Sequence, residues 1–280
     1  MLYNCFGAFI RYYIAGRNIP MRKTTLTSFN FSTILTNLQN QRPHFFLYQH
    51  PAYIDMLRVF FEKMQKDPFV VEQLTLLHEY DKSTFYHSVD VGFLSVCFRE
   101  IFHTENKEQF SEGSLLHDIG KRYIRHNVLT KEGKLTDGER LHMQEHTVKG
   151  YDILQGHKSD YMCRLALHHH EHPEGSGYPD ALCEENMKFD YFLLRIMDEF
   201  SALTLDRCYR KGLPITQAIE IITENMKTCL SYHDLNMLTT LLHVIFSEDA
   251  SHKELLNTYL LSEKEPIKFA FKPKKITYAV

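Results

Sequence analysis

Paired cysteines are missing from this chain. Cys5, Cys97, Cys163, Cys183, Cys208 and Cys229 form no CxxC pair, and several fall within helical apolar patterns. They read as reduced, structural thiols and point to a cytoplasmic setting. An excess of basic charge is also missing. Lys+Arg 32 against Asp+Glu 35 gives a net charge of -3, which argues against a nucleic-acid polymer as partner but leaves room for a local phosphate pocket. Long apolar runs are absent. Met1 to Ile14 is apolar and aromatic, but Arg11 interrupts it and no small-residue cleavage site follows. A span needs about 20 apolar residues, so neither a signal peptide nor a membrane span is expected. The stretch leaves room for a short membrane-touching or partner-binding segment. Internal repeats, low-complexity linkers and alternating strand runs are lacking too, apart from Ile267–Phe271 in a basic tail. Two things are plentiful. Hydrophobic residues make up 44% of the 280, enough for a real core, and histidine numbers 17, a hint of metal or acid–base chemistry.

The patterning is helical throughout. Residues 1–66 are rich in Phe, Tyr and Asn, with helical spacing over Phe29–Leu38 and Tyr53–Met64. His44 and His50 flank an aromatic patch there, and the region reads as a packed helical cap. Asp67-Pro68 marks a helix start, with Asp as cap and Pro in the first turn, and sets a soft boundary. Val71, Leu74 and Leu77 stripe the helix that follows. A further helix opens at His87 and carries Val89, Phe93, Val96, Cys97 and Phe98. Then come Glu139–Leu154, Tyr161–His170 ending in histidines, the strongly apolar Tyr191–Leu205 around Asp198, Ile215–Ile222 and Leu235–Ile245. The expected fold class is all-α: a helical bundle domain over 67–260, a smaller and mostly helical N-terminal region over 1–66, and a tail over 261–280.

The chain is organised around Leu115-Leu116-His117-Asp118-Ile119-Gly120-Lys121. The leucine pair predicts a buried helix, and the adjacent His-Asp predicts a metal site at its end. A carboxylate beside an imidazole can bridge two metal ions while the imidazole holds one of them. Five further residues strengthen this. His87, His117, Asp118, His146, His169, His170 and Asp198 each lie in or at the end of a helical segment with an apolar face. Such a set can converge in a bundle core. Mixed nitrogen and oxygen ligands suit Fe, Mn or Zn better than Ca or Mg. Five histidines and two carboxylates exceed the needs of one tetrahedral zinc, so two divalent metals fit better. Glu174-Gly175-Ser176-Gly177-Tyr178-Pro179 adds a structured loop beside the His169-His170 pair.

Taken in order, these motifs resemble the HD-GYP family. They are His117-Asp118-Ile119-Gly120-Lys121, then Lys131 to Thr136, Met143 and His146, His169-His170-Glu171 and Gly175-Ser176-Gly177-Tyr178-Pro179. Arg195-Ile196-Met197-Asp198, Ala202-Leu203-Thr204 and Asp206 to Lys211 resemble that family's next signature. The likeness covers roughly residues 70 to 225. It implies an HD-type helical domain and a bacterial signalling hydrolase that cleaves cyclic dinucleotides, typically cyclic di-GMP, to a linear dinucleotide and sometimes on to GMP. Carried over by position, the metal ligands would be the same seven residues, with Asp118 as the bridge between two ions, Fe or Mn foremost. Lys121 would contact the scissile phosphate, Tyr178 would sit at the pocket, and Arg207 with Arg210 would hold the substrate. Hydrolysis would proceed through a metal-bridging hydroxide, making Asp118 and Lys121 the catalytic pair. The Gly-Tyr-Pro loop or the N-terminal region would be the place for a signalling protein partner. A different cyclic dinucleotide, such as cyclic GMP-AMP, or a low-activity nucleotide-binding module are the alternatives.

Four positions depart from the family pattern. Ser83 stands where some members carry a Glu supporting a third metal, which favours two ions over three. Arg125 replaces a usual Pro, Glu174 a usual Asp, and Ser201 a common Asp that is not a primary ligand. Other histidines have ordinary readings. His142 and His168 are expected off the ligand set and His172 in the loop, while His78, His103, His126 and His157 read as surface or packing. Lys131 and Lys134 read as solvated turn residues, and Lys268, Lys272, Lys274 and Lys275 as a solvated end.

Overall fold

The computed structural model describes residues 29–207 and 210–246. The helix expected at the N-terminal edge begins inside that span, while the strand expected at Ile267–Phe271 lies outside the described residues. All regular elements among the described residues are helical. In chain order these are α1 (Phe31–Gln41), α2 (Pro51–Met64), α3 (Pro68–Tyr80), α4 (Lys82–Ile101), α5 (Lys107–Leu116), α6 (His126–Leu129), α7 (Asp137–Leu154), α8 (Asp160–His168), α9 (Phe189–Thr204), α10 (Ile215–Met226) and α11 (Tyr232–Phe246). Three short 3-10 helices lie at Phe46–Tyr48, Ile119–Tyr123 and Glu184–Asn186. None of these helices is long and apolar enough to cross a membrane.

Local chemistry sets most of the helix starts. Asp67 accepts from the amides of Phe69 and Val70, with Pro68 in the first turn, as that dipeptide predicts. Asp81 accepts from Thr84 N and starts α4. Thr136 and Glu139 close a reciprocal capping box on α7. His87 therefore does not open its helix, as its position before the apolar run suggested. Asp81 is the cap, and His87 lies in the second turn of α4. Similarly, the helix expected over Tyr161–His170 starts at Asp160, capped by Ser159, and stops at His168. His169 and His170 follow as a turn.

Two helices form the centre. α4 is buried on nearly every side from Thr84 to Ile101, and α9 is buried along most of its length. A helix that is apolar all round belongs inside a fold. α4 packs on α3, α5 and α9, while α7 packs on α8 and on the 3-10 helix at Ile119–Tyr123. One apolar core runs from Ile34 in α1 to Phe246 in α11. Each fully buried Leu or Phe in it contributes roughly 1.5–3 kcal/mol relative to exposure.

Inside that core sits a charged pair. The guanidinium of Arg42, just past α1, donates to the Asp90 carboxylate on α4, and the Tyr48 hydroxyl donates to the same oxygen. Arg42 also reaches Thr204 Oγ1 at 3.3 Å and lies over the rings of Phe45 and Tyr48. This contact ties α1 to α4 one turn beyond His87. Removing one partner leaves the other charge buried alone. Arg42→Ala is expected to cost about 3–5 kcal/mol, read as a lower urea midpoint at unchanged slope. A double change of Arg42 and Asp90 to apolar residues is expected to recover much of that loss.

Candidate metal centre

The motif at 115–121 lies where the chain leaves an α-helix. α5 ends at Leu116, His117 keeps helical angles, and Asp118 turns to φ −103°, ψ 7° before the 3-10 helix begins. That sparsely populated region is where many active-site side chains sit. Gly120 is required by close approach. A Cβ there would lie 2.0 Å from the carbonyl oxygen of His146 on α7. The glycine lets the 3-10 helix lie against α7, which brings Asp118 and His146 together.

All seven residues selected from the sequence are brought together by the fold. They fall into two groups, one of His87, His117, Asp118 and Asp198 and one of His146, His169 and His170, with candidate ligand atoms inside each group within 4.8 Å of one another. Asp118 stands between them. Its Oδ2 lies 3.5 Å from His87 Nε2 and 3.4 Å from His117 Nε2. Its Oδ1 lies 3.4 Å from His146 Nε2 and 3.8 Å from His169 Nε2. Asp198 extends from α9, with Oδ1 2.8 Å from His87 Nε2 and 3.6 Å from His117 Nε2. Its Oδ2 lies 3.9 Å from His170 Nδ1.

The hydrogen bonds behind these rings prepare them as ligands. Nδ1 of His117, His146 and His169 lies 2.7, 2.7 and 2.9 Å from the backbone carbonyls of Ser114, Met143 and Ala166. A carbonyl only accepts, so each Nδ1 carries a proton, and Nε2 of the neutral His146 and His169 offers a lone pair. These tautomers follow from the hydrogen-bond partners. The Nε2 atoms of His146 and His169 then face one another at 3.2 Å. Two opposed lone pairs repel, and a cation between them removes the conflict. His87 Nε2, His117 Nε2 and Asp118 Oδ1 are likewise buried without a hydrogen-bond partner. Buried polar atoms left this way are costly, and a divalent ion bound by nitrogen and carboxylate oxygen would satisfy all of them. The residues fit a metal.

The electrostatics agree. Burial holds His87 and His146 down at about 4 and His170 at about 3. Those imidazoles are neutral near pH 7 and ready to ligate. Burial also pulls His117 down, but Asp118 and Asp198 outweigh it and hold the ring at about 9. Burial pushes the two carboxylates up. Lys121 and His117 overcome it for Asp118, and His117 and His87 for Asp198, so both stay well below the usual carboxylate range.

The remaining sequence candidates divide. Lys121 donates to Asp118 Oδ2 from the edge of the cluster. Tyr178 stacks on His170, with ring centroids 4.8 Å apart, and marks the open side, since His170 is the most exposed of the seven. Arg207 is near enough for its charge to push His87 down. Arg210 turns away. Its guanidinium donates to the carbonyls of Ala202, Leu203 and Lys211, closing the end of α9. His142 accepts from Arg125 N, His168 pairs with Asp180, and His172 with Glu174 and Ser176, so these three lie off the set.

Glu171 acquires a role that sequence reasoning missed. It is fully buried, and its two oxygens accept from Asp180 N at 2.7 Å and Leu182 N at 2.9 Å. It thereby pins the far end of the Gly-Tyr-Pro loop to the turn carrying His169 and His170. Gly177 completes that closure, because a Cβ there would lie 2.4 Å from His172 N. Glu174 anchors the loop from the other side by accepting from Cys229 Sγ at 3.0 Å. A buried acid beside two histidines reads as one more ligand candidate or as packing, and spacing alone does not show which backbone it holds.

The HD domain family model matches residues 92–232, half of the chain, and the protein belongs to the HD domain family. Within the family its likeness extends to enzymes of one kind. The chain is 36% identical over 163 residues to a cyclic di-GMP phosphodiesterase of Thermotoga maritima, a match covering 55% of this chain and 43% of that protein. It is 32% identical over 163 residues to a cyclic di-GMP phosphodiesterase of Pseudomonas aeruginosa, covering 57% and 39%. It is 34% identical over 118 residues to a 3′3′-cGAMP-specific phosphodiesterase of Vibrio cholerae, covering 42% and 26%. The chain thus spans less than half the length of these curated relatives.

The packing of Gly120 makes a prediction. Gly120→Ala is expected to push the 3-10 helix off α7 and separate Asp118 from His146. Bound metal measured by elemental analysis after dialysis should then fall at least tenfold, the low end of what disturbed ligand geometry costs. Retention equal to that of the unaltered protein would contradict this reading.

Proposed function

We propose that this chain is a metal-dependent phosphodiesterase that hydrolyses cyclic di-GMP to the linear dinucleotide. The observation that carries the reading is the division of Asp118, one oxygen toward His87 and His117 and the other toward His146 and His169. A carboxylate so placed suits two divalent ions, Fe or Mn by ligand type, held by His87, His117, Asp118 and Asp198 on one side and by His146, His169, His170 and Asp118 on the other. Such ions supply Lewis-acid polarisation of a phosphodiester and activation of water near neutral pH.

The chain's own groups do the rest. Helices α4 and α7, the end of α5 and the turn after α8 position the imidazoles, and α9 positions Asp198, so little reorganisation is needed when charge develops on the phosphate. Lys121, at the rim of the cluster, contacts a non-bridging phosphate oxygen and stabilises the negative charge gained during attack. Arg207 supports the substrate's second phosphate by charge, while Arg210 shapes the end of α9 beneath it. Tyr178 borders the entrance and lays its ring against His170. Residues 67–260 form the catalytic unit in this reading, with the described residues 29–66 packed against it, in a cytoplasmic protein whose cysteines stay reduced.

A second substrate is favoured by one finding, the likeness to a phosphodiesterase named for 3′3′-cGAMP. The metal ligands read phosphate rather than base, so both substrates fit the same centre. The test is anaerobic purification, elemental analysis, and chromatography of products from cyclic di-GMP and 3′3′-cGAMP. Linear dinucleotide from cyclic di-GMP is expected with Fe or Mn bound. Asp118→Ala should lower turnover about a thousandfold or more, the several kcal/mol that metal charge stabilisation supplies. Full activity in a metal-loaded Asp118→Ala protein, or nucleotide binding without turnover in the intact one, would overturn the assignment.

A further inference from the structure

His87 is held differently from the three rings whose Nδ1 faces a carbonyl. Its Nδ1 lies 2.9 Å from the hydroxyl of Ser201. Ser201 is fully buried on α9, three residues after Asp198. One turn of α9 therefore faces both nitrogens of His87, with Asp198 Oδ1 2.8 Å from Nε2 and Ser201 Oγ hydrogen-bonded at Nδ1.

A hydroxyl is not equivalent to a carbonyl. It donates one hydrogen bond and accepts others, and it reverses by rotating about a single bond. His117, His146 and His169 are committed to Nδ1–H by acceptors that cannot reverse. His87 is not committed. With its proton on Nε2 the ring faces the Asp198 carboxylate 2.8 Å away, and Nδ1 accepts from Ser201. With its proton on Nδ1 the ring donates to Ser201 and frees Nε2 for a cation. Ser201 Oγ serves Nδ1 in either arrangement without moving a heavy atom, while Nε2, buried without a hydrogen-bond partner, stays open to a cation. The opposed Nε2 atoms of His146 and His169, 3.2 Å apart, have no such escape.

We propose that Ser201 is a positioning residue for His87, its hydroxyl reversing between donor and acceptor as the imidazole changes tautomer, so that the His87, His117, Asp118 and Asp198 group exchanges its divalent ion more readily than the His146, His169 and His170 group. This rests on the two-metal reading above. In practical terms the two sites are unequal, and the one containing His87 is the site through which metal supply sets the occupancy.

The test uses the full chain, stripped with chelator and titrated with zinc, which is diamagnetic. Calorimetry is expected to resolve two steps at least tenfold apart. Ser201→Ala should weaken the second step by about 10- to 100-fold, the usual effect of removing a group behind a metal-ligating histidine, and leave the first unchanged. Ser201→Thr, which keeps the hydroxyl, should restore it. In nitrogen-15 imidazole spectra of the unaltered protein, the ring signal missing from a His87→Gln sample should change from the Nε2–H to the Nδ1–H tautomer as the second equivalent binds. Two equal steps insensitive to Ser201→Ala, or one His87 tautomer throughout, would overturn the proposal alone. Failure of the unaltered protein to bind two zinc ions would overturn the two-metal reading with it. The spectrum of the unaltered chain decides the matter even if Ser201→Ala does not fold.

Discussion

The structure depends on the carboxylate of Asp118. One oxygen serves the rings of α4 and α5, and the other serves the rings of α7 and the turn after α8. The surrounding helices meet at this residue. The break from α5 into a 3-10 helix aims the side chain, and the missing side chain of Gly120 lets α7 approach. Neither constraint concerns chemistry directly. Both set the separation of the two histidine groups, which is the quantity a bridging carboxylate must match.

Concentrating these groups is electrostatically expensive. Two carboxylates and four histidines are buried almost completely, and taking ionised groups out of water costs several kcal/mol each after relaxation. Lys121 and His117 offset part of the negative charge of Asp118, but opposed Nε2 lone pairs and partnerless buried atoms remain. A site that is strained without a cation gains that strain back as affinity when one binds. The framework tolerates the cost because α4 and α9 are embedded in the core, and because Arg42 and Asp90 lock α1 onto α4 just beyond the site. The Gly-Tyr-Pro loop beside His170 is not helical, yet Glu171, Glu174 and Gly177 tie it to the turn carrying His169 and His170 and to Cys229.

Much of this was legible before any coordinates. Helical spacing predicted the all-α class, and the order of His117-Asp118, His146, His169-His170 and Asp198 selected the residues that converge. These features follow from one-dimensional pattern. What stayed hidden depends on contacts between distant segments. The boundaries of α4 and α8 were misplaced because Asp81 and Ser159 cap them before the apolar periodicity begins. Arg210 resembled a substrate contact because its charge is visible in sequence, whereas the carbonyls of Ala202, Leu203 and Lys211 that engage it are not. Ser201 reads in sequence only as a departure from a family pattern, because the contact of its hydroxyl with His87 Nδ1 joins residues 114 positions apart. Glu171 is visible in the His169-His170-Glu171 motif, but the backbone amides of Asp180 and Leu182 that it holds leave no mark in the sequence.

The central claim is that Asp118 joins two cations in one centre. X-ray absorption of the manganese-loaded protein tests it most directly, because the metal-to-metal scattering path is independent of substrate and turnover. A vector of about 3.5–4 Å is predicted, present in the intact chain and lost in Asp118→Ala. A mononuclear spectrum at full loading, or a vector unchanged by Asp118→Ala, would contradict the account.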